Sequence, residues 1–564
     1  MQDPVTDIAG VPDTDQVIDA VRQRLGYPLS IELPSVTIPE ILRQAVNAFS
    51  DKPAYTCLGK TISYADVDRL STQFAAYLQH QTDLQPGDRI AIQLPNVLQY
   101  PVVVFGAMRA GLVVVNTNPL YTPHEMQHQF LDAGVKAVVI LANVASKLET
   151  VLANTAIRHV IVTELADLHD WPQRVVINAA AKYLKKMVPP FHLSQAVALR
   201  KALASGSQYP VKPVSQKRDD IAVLQYTGGT TGVAKGAMLT HENLLANVRQ
   251  CAIFMEKAGI NRGGEIVVAP LPLYHIYAFM LHILLMMESG NHSLLIPDPR
   301  NIAAVAKTLA RHRFSVFIGI NTLFVALAHN EAFRKLDFSA LKLTFSGGMA
   351  LTETAAKLWQ QTSGCAVIEG YGLTESSPVL TVNPPGHARI GSIGIPLANT
   401  AIRILDDNGV VQPVGMAGEL CARGPQVMKG YWQREQATAE TVVNGWLHTG
   451  DIAVADPDGF IRIVDRKKDM IIVSGFNVYP NEIENVMSAH PDIIECAAVG
   501  IPDELSGEAV KLFVVSRNPA LDVEQVRQFA RKEMTAYKVP KQVEFRETLP
   551  KSNVGKILRR ELRG

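Results

Sequence analysis

The 564-residue chain contains no Cys-x-x-Cys pair, and its five cysteines (Cys57, Cys251, Cys365, Cys421, Cys496) stand far apart. Neither a disulfide framework nor a zinc site is expected, and a reducing cytosol suits such a chain. Excess charge is also lacking: 54 Lys and Arg against 53 Asp and Glu leave +1, so no bulk attraction for nucleic acid is expected. No apolar run reaches the ~20 residues of a membrane-spanning helix. Val102 to Val115 is broken by Arg109 and Tyr277 to Met287 by His282, so both read as buried elements or pocket walls. The opening Met1-Gln-Asp-Pro-Val-Thr-Asp has no apolar core and is not a secretory signal. What is present, 47% hydrophobic and 19% charged residues, describes an ordinary globular protein. Its length calls for a large composite domain plus a smaller one.

Strand and helix patterns alternate from Pro53. Strands are expected at Pro53 to Thr56, Ile62 to Tyr64, Arg89 to Leu94, Leu112 to Asn116 and Lys136 to Leu141. Helices are expected at Ala65 to Leu78, from an Asn96 cap to Ala110, and at Pro123 to Ala133. Such alternation implies a parallel sheet covered on both faces. A second series, with strands at Ile266 to Ala269, Ser293 to Ile296, Phe314 to Ile320 and Lys342 to Phe345, implies a second sheet packed on the first. From about Val410 the chain is β-rich, and from Asp465 it reads as a compact α+β unit with strands at Ala497 to Ile501 and Val510 to Val515 and two helices. The expected fold is therefore α/β: a large amino-terminal domain of two packed βαβ sheets plus a β-rich subdomain, and a small mobile α+β carboxy-terminal domain. The division is 1–37 (extension), 38–464 and 465–564. Between the two series, Arg174 to Met187 has helical spacing with Arg174, Lys182, Lys185 and Lys186 beside apolar residues. It is either a membrane-surface helix or a plain amphipathic surface helix.

The most unusual stretch is Tyr226-Thr-Gly-Gly-Thr-Thr-Gly-Val-Ala-Lys-Gly236. Glycines let backbone N–H groups converge on an anion, threonine hydroxyls add donors, and Lys235 neutralises charge, so this loop is a phosphate cradle. Its offsets exclude the G-x-x-x-x-G-K-[ST] loop. The preceding Ile221 to Gln225 reads as a buried strand, which places the loop at a strand end, where α/β sheets bind ligands. A second polar stretch, Glu369-Gly-Tyr-Gly-Leu-Thr-Glu-Ser-Ser-Pro378, offers an aromatic face for a base, the Thr374 hydroxyl for phosphate and Glu375 as a hard oxygen ligand for Mg²⁺.

Together with Gly445-Trp-Leu-His-Thr-Gly-Asp451, Asp465-Arg-Lys-Lys-Asp469, Ser474-Gly-Phe-Asn-Val-Tyr-Pro480 and Pro550-Lys-Ser-Asn-Val-Gly-Lys556, these motifs resemble the adenylate-forming superfamily. The wording is closest to bacterial long-chain fatty acyl-CoA synthetases, and the resemblance runs from about residue 38 to the end. It implies that a carboxylate attacks the α-phosphate of Mg·ATP to give acyl-adenylate and pyrophosphate, after which CoA displaces AMP. By resemblance, Tyr226, Thr227, Gly228, Gly229, Thr230, Thr231, Gly232 and Lys235 close over the β- and γ-phosphates, and Thr374 and Glu375 serve phosphate and Mg²⁺. Tyr371 and Gly372 lie against adenine near Gly347 and Gly348, Asp451 and Arg466 hold the ribose hydroxyls, and Gly475 helps form the pantetheine tunnel. Lys556 is the adenylating lysine and Asp465 the hinge. His275 sits near the acyl carboxylate, and Tyr274 and Phe279 line the acyl tunnel.

Leu271 to Met287, which matches the acyl-pocket region of relatives, carries no acidic residue to receive a substrate ammonium until beyond Met287, which favours an apolar acid. Medium-chain and aryl acids stay open, and a non-catalytic acyl- or nucleotide-binding protein is the alternative of another class. Peptide-synthetase adenylation is disfavoured because no carrier domain follows before Gly564. The expected partners are a fatty acid and CoA, with no nucleic acid. A cytoplasmic location, a peripheral contact with the inner face of the cytoplasmic membrane and a homodimer complete the expectations.

Overall fold

The structure is a computed structural model that describes residues 14–227, 234–474, 476–503, 506–552 and 557–563. Two large sheets form its frame. The first has seven strands, in the order Ala196–Ala198, His159–Thr163, Val135–Leu141, Arg89–Gln93, Val113–Asn116, Ile221–Thr227, Lys235–Thr240. All pairs are parallel except the last, a hairpin in which Thr227 faces Lys235. The second has nine strands, with Ile266–Ala269, His292–Leu295, Val316–Gly319, Leu343–Ser346 and Val367–Gly372 at its parallel centre.

One expected assignment fails here. The early strands Pro53–Cys57 and Lys60–Ser63 belong to the second sheet, where Tyr55 pairs with Ser293, and not to the series that immediately follows them. Their period-2 pattern reveals a strand but not its neighbour, which is set by a contact more than two hundred residues away.

Helices fill the space between the sheets. His241–Lys257 is buried nearly all round, as a helix between two layers must be, and the Thr240 hydroxyl caps it by accepting from the Asn243 N–H. Ile90, Ile92, Val114 and Val223 of the first sheet share one apolar core with Val267, Val316 and Ile318 of the second. The helix after Arg89–Gln93 is Gln99–Arg109, and Asn96 does not cap it. The Asn96 amide instead donates to the carbonyls of Ala269 and Leu271 and accepts from the Leu273 N–H, tying the first sheet to the loop that precedes His275.

A third, antiparallel sheet comprises Ala401–Leu405, Gly418–Arg423, Trp446–Ala455, Val442–Val443 and Ile461–Arg466, as the β-rich composition led one to expect. The small carboxy-terminal domain holds five strands, Ile471–Val473, Phe476–Val478, Ile493–Asp503, Gly507–Ser516 and Gln542–Phe545, with helices Pro480–Met487 and Val523–Glu533. Three of these strands are too short to give a periodic signal.

The amino-terminal residues are more than an appendage. Arg22 is buried and donates to the carbonyls of Leu29, Leu397 and Thr400. The Asn399 side chain closes a reciprocal pair with the backbone of Ile31, and Tyr27 stacks on Phe254 with ring centroids 4.4 Å apart. Residues 14–37 thus strap the helix His241–Lys257 to the strands around residue 400.

Candidate active site

The loop 228–233, Gly475 and Lys556 lie outside the described residues, so the assignments to Gly228, Gly229, Thr230, Thr231, Gly232, Gly475 and Lys556 rest on sequence. The strands Ile221–Thr227 and Lys235–Thr240 that flank residues 228–233 form a hairpin. Tyr226 and Gly236 face each other across the hairpin, and a Cβ on Gly236 would stand 3.0 Å from the Tyr226 ring, a tight contact that a larger residue could make only if the ring shifted. The Tyr226 hydroxyl donates to Asp132 at 2.6 Å, and burial beside that carboxylate raises its pKa. Asp132 also pairs with Arg434.

Lys235 leads to a residue that sequence reasoning did not find. Its ammonium lies over the Tyr431 ring, 5.1 Å from the centroid, and the Tyr431 hydroxyl donates to Glu375 at 2.6 Å. Tyr431 is held because residues 429–432 add to the hairpin edge: the Met238 N–H donates to the Gly430 carbonyl and the Trp432 N–H to the Gly236 carbonyl. Lys235, Tyr431 and Glu375 therefore form one line across three chain segments. The aromatic triplet Gly430-Tyr-Trp432 carried the only hint.

Tyr371 closes strand Val367–Gly372 and donates its hydroxyl to Asp451 Oδ2 at 2.5 Å, while Arg466 Nε reaches Asp451 Oδ1 at 2.5 Å. Asp451 and Arg466 are cross-strand partners, so the register of the third sheet delivers both to Tyr371. Burial and the adjacent Asp451 carboxylate push the Tyr371 phenol well up, which keeps it a donor. Gly372 cannot be replaced, because a Cβ there would fall 1.8 Å from the Pro378 carbonyl oxygen. A Cβ on Gly347 would meet the Tyr277 ring at 3.1 Å, whereas Gly348, with φ +83°, faces open space. Thr374 and Glu375 lie on the short turn Thr374–Ser376 that follows.

Asp465 is fully buried on strand Ile461–Arg466, not an exposed loop aspartate. It accepts from the N–H groups of Arg466 and Asn481, each at 2.7 Å, and faces Arg559 at 3.3 Å. Burial outweighs these partners and pushes its carboxyl up to about 6. Arg559 itself bridges Asp465, Asp469 and Glu484, joining both ends of the small domain.

On the acyl side, His275 caps the short helix Ile276–Ala278 by accepting from the Tyr277 N–H, and packing pushes its imidazole down to about 4, so it is neutral near pH 7. Phe279 begins a π-helical turn, Phe279–Leu285, and is fully buried in the core. A narrow apolar cavity of about 30 Å³ lies beside this turn, lined by Cys251, Phe254, Met255, Leu281 and Leu285 against Ile318, Phe345 and Ile368. Neither Tyr274 nor Phe279 is on its wall. Its walls come from helix His241–Lys257, the π turn and strands of the nine-stranded sheet. A larger cavity, about 270 Å³, lies elsewhere, among Lys60, Arg69, His169 and Arg200.

Among the described residues no group of three or more His, Cys, Asp or Glu side chains is arranged to hold a metal. Strand Val367–Gly372 of the nine-stranded sheet joins the two regions: Ile368 faces the cavity, and Tyr371, three residues on, donates to Asp451 of the third sheet.

Comparison with known proteins decides the kinship. Residues 42–432 match the AMP-binding enzyme family and residues 482–556 the AMP-binding enzyme C-terminal domain. The chain belongs to the AMP-binding enzymes. It is 50% identical over 528 residues to a long-chain-fatty-acid–CoA ligase of Escherichia coli O6:H1, covering 93% of this chain and 94% of that protein. It is 33% identical to a feruloyl-CoA synthase of an Amycolatopsis species, covering 90% of this chain and 94% of that one. Among solved structures, ATP-bound MatB from Rhodopseudomonas palustris superposes with a TM-score of 0.80 at 27% identity, over 94% of this chain and 98% of that one. The two-sheet body with a smaller carboxy-terminal domain is thus the architecture of this family, and ATP and CoA are substrates that fit it.

Proposed function

We propose that the chain is an AMP-forming long-chain fatty acid–CoA ligase of fatty acid metabolism: it activates a fatty acid with ATP, releases pyrophosphate, and transfers the acyl group to CoA. The observation that carries the acyl half of this reading is the apolar cavity. It is lined by carbon and sulfur atoms, with no carboxylate to receive an amino acid and no polar ring of donors for a hydroxylated aryl acid. The half-identical ligase relatives support the same substrate class.

In this reading Lys235 draws the β- and γ-phosphates onto the hairpin, with Tyr226, Thr227 and the loop glycines supplying the cradle. Asp451 and Arg466 orient the ribose, since a carboxylate accepts two hydroxyl protons at once. Tyr371, pinned by Asp451, lies against adenine beside Gly347 and Gly348. Neutral His275 stands by the acyl carboxylate without adding charge to it. Lys556 places an ammonium between the carboxylate and the α-phosphate, offsetting their repulsion as the acyl–oxygen–phosphorus bond forms and pyrophosphate leaves. Mg²⁺ binds typically through one or two carboxylates plus substrate phosphates, a donor set that Glu375 with Thr374 fits, and when bound it offsets phosphate charge.

The domain division falls at 464/465. Asp465, anchored to Arg559 and Asn481 of the small domain while its strand pairs with Trp446–Ala455, is the hinge about which Lys556 leaves and the Gly475 segment arrives to guide pantetheine. The reading also includes a peripheral contact with the inner face of the cytoplasmic membrane and a homodimer, which would compete for whatever apolar surface the protein exposes.

The deciding experiment measures pyrophosphate release with Mg·ATP across saturated acids of increasing length and cinnamate-like acids, with and without CoA. An optimum on long saturated acids is expected, and an optimum on aryl acids would overturn the assignment. Lys556→Ala is expected to abolish adenylation while sparing thioester formation from supplied acyl-AMP; equal loss of both half-reactions would remove Lys556 from its assigned role.

A further inference from the structure

Residues 171–187 form a helix, Gln173–Ala179, that runs into a π-helical turn, Ala180–Leu184. Its orientation is the reverse of what water selects. The side chains turned inward are Asn178, half-buried, which donates to Glu164 and accepts from the Ala166 N–H, the half-buried Ile177 and the small Ala181. The side chains turned outward are apolar: Val176 is 64% exposed, Tyr183 71%, Leu184 80%, and Trp171, just before the helix, 69%. A plain amphipathic surface helix would bury those four and expose the asparagine.

The charge on this face has one sign. Residues 171–187 include Arg174, Lys182, Lys185 and Lys186 and no Asp or Glu. Among the described residues none of the four cations takes part in an ion pair, and the neighbouring Asp170 is already engaged by Lys60 at 2.8 Å. An apolar strip with aromatic residues, bordered by unpaired cations, matches the layered chemistry of an anionic bilayer: hydrocarbon below, phosphate above. A second copy matches poorly, because a two-fold pairing through this face would set four cations against four. No described helix is long and apolar enough to cross a membrane, so the contact is one that lies on the surface.

We propose that the outward face of residues 171–187 is the surface by which this protein docks on an anionic lipid bilayer. This inference rests on the peripheral contact named above and narrows it to one surface and one lipid charge. The apolar side chains enter the acyl boundary while the lysines meet headgroup phosphates. A fatty acid partitions into the same layer, so docking brings the protein to its substrate's phase.

The test is co-sedimentation of the full chain with vesicles of phosphatidylcholine plus phosphatidylglycerol, and of phosphatidylcholine alone, at low and high salt. Two double variants are compared, Val176→Ser/Leu184→Ser and Lys185→Glu/Lys186→Glu. Their melting temperatures and their activity on a freely soluble short acid are expected to stay unchanged, because the replaced side chains are exposed. Wild-type binding is expected to require phosphatidylglycerol and to weaken with salt, and each double variant should weaken it by about tenfold or more. Undiminished binding by both variants would overturn this surface while leaving a membrane contact elsewhere; absence of wild-type binding would overturn both. A concentration-dependent dimer that Val176→Ser/Leu184→Ser dissociates, without vesicle binding, would give the face to a second copy and overturn the proposal.

Discussion

The polar and apolar regions that meet at strand Val367–Gly372 are built in opposite ways. Around Asp451 the groups are already joined: Tyr371 and Arg466 each reach it at 2.5 Å, and Tyr431 reaches Glu375 at 2.6 Å. Around Leu281 and Leu285 nothing is joined, and the space amounts to about 30 Å³ between side chains in ordinary packing. In the proposed function a fatty chain occupies that seam only as the helix His241–Lys257 and the π turn yield, so the nucleotide half is preorganised and the acyl half is a core that opens. Preorganisation suits a ligand recognised by directional hydrogen bonds, and a yielding seam suits one recognised by buried length, where each methylene contributes about 0.8 kcal/mol.

The sharpest way to break this contrast is to unpin the polar half. Asp451→Ala leaves Arg466 without its carboxylate and the Tyr371 hydroxyl without its acceptor. In the proposed function the ribose also loses its carboxylate, and hydrogen bonds to charged groups are worth about 1.5–3 kcal/mol each, so kcat/KM for ATP is expected to fall on the order of a hundredfold, measured by ATP–pyrophosphate exchange. A loss confined to the fatty acid KM would show that Asp451 does not serve the nucleotide. Next in size, Leu285→Phe fills the seam. The longest acids should lose roughly ten- to a hundredfold in kcat/KM while short acids and the ATP KM hold, read from pyrophosphate release across chain lengths. A uniform loss at all lengths would move the acyl path elsewhere.

The smallest effect probes the boundary between the halves. Glu369, on the strand between Ile368 and Tyr371, is buried, and desolvation pushes its carboxyl up to about 8 although the Leu351 N–H donates to it. The folded protein therefore favours the neutral acid. That contribution to stability is full below about pH 4.5, the unfolded value, and is lost as pH rises through about 8. The melting temperature should fall over that window, by a few degrees on the scale of ~2–4 °C per kcal/mol, and Glu369→Gln should flatten the fall. A parallel decline in the variant would assign the pH dependence to other groups.

These contrasts also explain what could be read before the structure. The polar half is legible because phosphate and ribose chemistry demand particular residue types at fixed spacing, as in Tyr226 to Gly236 or Tyr371 to Glu375. Tyr431 escaped because an aromatic ring that supports a lysine and a carboxylate has no such signature. The apolar half is nearly illegible: Cys251, Phe254, Leu281 and Leu285 obey the same helical spacing whether they pack a core or line a seam. Phe279, singled out for its position, is fully buried. Similarly, the alternation of strands and helices announced two sheets, but the pairing of Tyr55 with Ser293 depends on tertiary contacts that no local pattern encodes. Residues 174–187 read as a helix from sequence, and only the direction of Val176 and Leu184 distinguishes a face that needs a partner from one that does not.

The amino-terminal strap has a practical corollary. The family match begins at residue 42, and an expression boundary chosen there would discard Arg22 and Tyr27. The carbonyls of Leu397 and Thr400 would lose their buried guanidinium, and Phe254 would lose the ring that backs it at 4.4 Å on a wall of the apolar cavity. In the proposed function, where that cavity takes the acyl chain, a shortened protein would differ from the full chain in which acids it accepts as well as in how well it folds, and a chain-length profile measured on it would describe the truncation.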